Sequence, residues 1–94
     1  MIPAREPAPL VAKWRRAEAE ASWWFWFHGY TLHDLKMADA ERHARLLEAI
    51  ASLDLACAHE QPQEIAAAGK ALVKEWKAVV AFMRERSSFL EAAQ

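Results

Sequence analysis

Apolar residues recur at every third or fourth position along most of this chain, and the recurrence falls into three blocks. The first stripe is Leu10, Trp14, Ala17, Ala21, Trp24 and His28, with Arg15, Arg16, Glu18 and Glu20 mostly off it. The second seam is Leu35, Asp39, His43, Leu46, Ile50, Leu53 and Cys57. The third is Ile65, Gly69, Leu72, Trp76, Val79 and Met83, widened by Val73, Val80 and Leu90. Spacing by three and four is the signature of helices with one buried face. It predicts an all-α fold of three helices, over about 9–28, 32–58 and 62–90.

Local signals set the boundaries. Pro9 suits a first helical turn and Gly29 a helix stop. Thr31 and Asp34 have the spacing of a capping box, which starts helix 2 near Leu32. Asp39, followed by Arg42 and His43, is a second start signal near Ala40; the earlier start is preferred. Pro62 opens helix 3, and Glu64 in its first turn complements the helix dipole. Gly69 on the third seam permits close approach of another helix. Ser87-Ser88 weakens the pattern, and Ser88 with Glu91 offers a restart as a short terminal helix. Short connections favour antiparallel neighbours, so helices 2 and 3 are expected as a hairpin with helix 1 folded against it. Residues 1–8, containing Pro3 and Pro7, read as a flexible Pro-rich arm, and 9–94 as a single helical domain.

Trp23-Trp24-Phe25-Trp26-Phe27 departs from this pattern. At about 100° per residue, five consecutive rings encircle a helix, whereas one core covers one stripe. The segment therefore needs a second apolar partner. Trp23, Trp24, Trp26 and Phe27 are the expected partner-binding residues, because Trp and Phe bury large areas and Trp is enriched at interface hot spots. A homodimer that completes a larger bundle is the simplest form. The run is far shorter than the roughly 20 residues of a membrane helix.

Charge changes this picture little. Among 94 residues, 12 Lys and Arg face 13 Asp and Glu, a net charge of −1. That balance argues against nucleic acid or a membrane surface as the principal partner. A local exception is the row Lys70, Lys74, Lys77 and Arg84, which shares one face of helix 3. It offers a nucleic-acid accessory role as an alternative, although such a row is usually a solvated face. The single cysteine, Cys57, excludes an intramolecular disulfide and fits a reducing compartment. The N-terminal residues lack a basic region followed by an apolar run, so a cytoplasmic protein is expected.

Candidate chemistry is sparse. Asp39 and His43 are four apart, close enough on a helix for a carboxylate to orient an imidazole or share a metal with it. With His28 and His33 they form the candidate polar site, for acid–base work or a metal; the bland alternative is a satisfied pair at the end of the core. No HExxH or paired-Cys spacing accompanies them, Cys57-x-His59 stands alone, and no metal or other cofactor is expected. His33-Asp-Leu-Lys36 partly resembles the His-x-x-Lys-Gly signature of histidine phosphotransfer domains. The resemblance implies a phospho-accepting His33 assisted by Lys36 on a helical bundle. It covers four residues, and Met37 stands where that family has Gly. No motif names a reaction or a small-molecule substrate. The expected role is a small cytoplasmic interaction protein (an adaptor, inhibitor or accessory subunit) rather than an enzyme.

Overall fold

The computed structural model describes residues 8–93, with side chains from 14 to 88; the arm expected over 1–8 lies outside these apart from Ala8. The described chain is all-helical: α1 Ala8–Phe27, α2 Leu32–Ala38, α3 Ala40–His59 and α4 Pro62–Ala93.

There are four helices where periodicity predicted three, because both start signals operate. Thr31 caps α2: its side chain accepts from the Asp34 N–H, and the Asp34 carboxylate accepts from the Thr31 N–H at 2.7 Å. Eight residues after Thr31, Asp39 interrupts the expected continuous helix 32–58. Its N–H closes α2 on the Leu35 carbonyl at 2.8 Å, and its Oδ1 accepts from the Arg42 N–H at 3.0 Å to open α3. An Asp side chain that can satisfy an orphan N–H competes with helical continuation at its own position. Asp39 lies on the predicted seam, yet it acts as a joint rather than as core.

The third block follows its pattern closely. Ile65, Leu72, Trp76, Val79 and Met83 are all buried on one face of α4, each aliphatic side chain contributing roughly 1.5–3 kcal/mol by leaving water. Leu35, Leu46 and Leu53 meet them from α2 and α3, and Trp14, Ala21 and Phe25 from α1. Leu10 and Leu90 lie outside the described side chains. The α4 helix runs unbroken through Ser87 and Ser88, so there is no separate terminal helix.

The α1 stripe needs correction at its C-terminal end. Phe25, not Trp24, is the buried ring; Trp24 is half-buried and His28 is exposed. Further back, Trp14 lies across Gly69, where any Cβ would intrude into the indole. This contact is why the third seam carries a glycine.

Contacts fix how the helices run. From α1 to α4, Trp14 meets Gly69, Phe25 meets Trp76 edge-on at 6.5 Å, and Trp24 meets Arg84. From α3 to α4, Arg42 lies over Phe82, Arg45 approaches Glu75 at 3.9 Å, and His59 bonds Glu64. Thus α1 runs along α4 in the same direction and α3 in the opposite one. The α4 helix is the shared backbone of both contacts. The described residues span 56 × 24 × 17 Å.

Candidate docking surface

The rings of Trp23, Trp26 and Phe27 are 60%, 76% and 61% exposed. They follow from geometry: once Phe25 turns toward Trp76, positions 23, 26 and 27 fall on the outer arc of α1. Trp23 and Phe27, four apart, stack at 5.1 Å and form an apolar ridge. Trp24, expected as a fourth docking ring, is held differently. Its ring lies tilted against His28 at 4.3 Å and stacks on Tyr30 at 5.9 Å, and the Arg84 guanidinium sits 5.6 Å from its ring centroid. Tyr30 reaches this position because Gly29 turns the chain at φ 75°, with the Tyr30 N–H on the Phe25 carbonyl.

Two clefts border the aromatic end. The larger, about 420 Å³, opens between α1 and α4, with walls of Trp23, Trp24, Val80 and Ala81 and rims of Glu20, Lys77 and Arg84. The smaller, about 200 Å³, lies between α1 and the α1–α2 turn, beside Trp26, Tyr30 and Leu32. Trp76 lines both. The aromatic run and the basic row, which the sequence presented as separate features, therefore share a boundary. Lys77 and Arg84 line the larger cleft, and exposed Lys70 and Lys74 continue the same face of α4 by helical spacing. None of these four cations forms an ion pair with a carboxylate among the described residues.

The candidate polar site does not assemble around His43. The Asp39 carboxylate is taken by Arg42, whose Nε lies 3.5 Å from Oδ2. The Arg42 backbone N–H, together with its guanidinium charge, holds the Asp39 carboxyl below the usual range despite partial burial. His43 is half-buried and its backbone N–H, not its ring, bonds Asp39. His28 packs on Trp24 and Phe27, while His33 and Lys36 are exposed beside exposed Met37. Among the described residues no three His, Cys, Asp or Glu side chains are grouped to hold a metal ion. Cys57 lies half-buried at the core edge. His59 Nδ1 instead meets Glu64 Oε1 at 3.0 Å, tying the end of α3 to the first turn of α4. Glu64 was legible as a helix-start group and His59 only as part of the connection; their pairing follows the turn that Glu60 makes at φ 54°.

A further apolar surface, not signalled by the seams, lies on α3. Leu47 and Leu55 on α3 are 45% and 58% exposed. Their spacing of eight puts them on one face, away from Leu46 and Leu53, which are buried. Among the described residues no helix is long and apolar enough to cross a membrane. No family model, curated protein or solved structure matches this chain.

Proposed function

We propose that this chain is a small helical interaction protein, an adaptor, inhibitor or accessory subunit, that docks another protein through the outer arc of α1. One observation carries the reading: Trp23, Trp26 and Phe27 project together into solvent within little more than one turn. Buried aromatic rings hide about 150–250 Å² each. At their present exposure these three offer roughly 400 Å² of apolar area on one protomer. Two such surfaces supply about half of a standard interface of roughly 1,600 Å². A second copy of the chain is the simplest partner, and its addition extends the bundle.

The test is assembly by light scattering across micromolar to millimolar protein. The native chain should gain mass with concentration, and Trp23→Gln/Trp26→Gln should remain a folded monomer. Unfolding of that variant would instead make the rings core. A folded variant that assembles like the native chain would remove the surface from consideration.

A second reading, a nucleic-acid accessory protein, draws support from the clustering of Lys77 and Arg84 beside Trp23 in one cleft. Salt-insensitive passage over single-stranded DNA or heparin would dismiss it.

A further inference from the structure

Two surfaces are left uncovered by the described residues, and their prevailing charges are opposite. The α1–α4 cleft has aromatic walls and a margin with two cations and one carboxylate: Trp23, Trp24 and Glu20 on one side, Lys77 and Arg84 on the other, with exposed Lys70 and Lys74 extending the cationic side. The outer face of α3 has an apolar centre and an anionic margin. Leu47 and Leu55 stand exposed, flanked by exposed Glu41, Glu48 and Asp54. Glu48 and Asp54 make no ion pair among the described residues, and Glu41 makes only a 3.7 Å contact with Arg45.

Length agrees with charge. From Lys70 to Arg84 the basic row covers about 21 Å of helix axis, and from Glu41 to Asp54 the acidic margin covers about 20 Å. Resting on the reading that the outer side of α1 docks protein, we propose that the α1–α4 cleft receives the outer face of α3 from a second copy of this chain. Leu47 and Leu55 enter the cleft against Trp23 and Trp24. The carboxylates beside them meet the lysine and arginine rim.

The two faces cannot close a simple dimer. On α4, the residues that hold α3 (Glu75 and Phe82) lie about 180° around the helix from Lys77 and Arg84. Cleft and α3 face therefore look outward on opposite sides. A copy with its α3 in a neighbour's cleft leaves its own cleft open for the next copy, so assembly is heterologous and continues beyond two. Its ionic margin makes it weaken with salt, whereas the apolar centre does not.

The experiment uses the full chain, two further variants and Trp23→Gln/Trp26→Gln, with folding of each verified by circular dichroism. Lys77→Glu/Arg84→Glu disables the cleft; Leu47→Gln/Leu55→Gln disables the α3 face, Gln being a comparable helix former. Light scattering should show the native chain growing past dimer mass with concentration, less so as salt rises from about 0.05 to about 0.5 M. Each variant alone should assemble at least about tenfold more weakly. Mixed in equal amounts, the two should form a 1:1 dimer that grows no further, because each retains the face the other has lost. A native chain that stays monomeric, an α3 variant that assembles like the native chain, or a mixture with no heterodimer each overturns the proposal. If the α3 variant assembles normally while Trp23→Gln/Trp26→Gln does not, only the assignment of α3 fails. If the tryptophan variant also assembles normally, the docking role of the α1 surface fails with it.

Discussion

Trp14 and Trp23 lie on the same helix and share the same chemistry, yet one is 6% exposed and the other 60%. The difference lies in what α4 presents to them. Opposite Trp14 stands Gly69, which has no Cβ and lets the indole lie on the helix backbone. Near the other end of the contact, Trp76 fills the corresponding place and accepts a single ring, Phe25, edge-on. Trp24 is half-buried against Tyr30 and Arg84, whereas Trp23, Trp26 and Phe27 find no such receiving surface among the described residues. Burial of an aromatic residue is thus a property of a pair of positions, and the two ends of α1 differ by their partners rather than by their hydrophobicity.

The largest effect should come from removing the ring that organises the aromatic end. Trp76→Ala is expected to cost about 3–5 kcal/mol in urea unfolding. A cost below roughly 1 kcal/mol would mean that α1 is not anchored there.

Gly69→Ala should come next. In an ordinary helix interior this change stabilises by about 1 kcal/mol, but here the methyl group meets Trp14 and an overpacking cost of about 1–3 kcal/mol is expected instead. A rise in Tm would break the comparison, since Trp14 would then be buried without needing the glycine.

Asp39→Ala tests a joint that belongs to neither end of α1, and its effect should be smaller than that of Gly69→Ala. The folded-state pKa of Asp39 is lowered, so its contribution is fully present above the unfolded carboxyl pKa near 4 and is lost as pH falls through the folded value. Thermal melts should show the variant less stable than the native chain at pH 7. The gap should narrow below about pH 4. A gap that is independent of pH would mean that the carboxylate is not the cap.

The smallest effect on the fold is expected for Trp26→Gln, within about 0.5 kcal/mol of the native chain. Under conditions where the chain is monomeric, a loss above roughly 2 kcal/mol would turn Trp26 into core and erase the contrast with Trp14.

These differences explain which parts of the molecule were legible beforehand. The α4 seam was readable because Lys70, Lys74, Lys77 and Arg84 mark its outer side, so Ile65, Leu72, Val79 and Met83 had only one face to occupy. In the aromatic run no polar residue marks an outside. The one-position error, Trp24 for Phe25, arose there because the choice is made by Trp76, far away in sequence. The break at Asp39 was visible as a cap signal, but treating two caps as rivals hid the outcome in which both act. The cleft was not legible at all. Its walls come from α1 and α4, and no periodicity within either helix reports which of their flanks are brought together.

The elongated outline has a practical consequence for hydrodynamics. A compact chain of 94 residues has an expected radius of gyration of about 12 Å, whereas this one measures 15.2 Å along a body 56 Å long. A rod of that kind diffuses slowly and elutes early for its mass. A gel-filtration column calibrated with spheres would therefore overstate the mass of a single chain, and scattering mass, not elution volume, is the quantity that counts its copies.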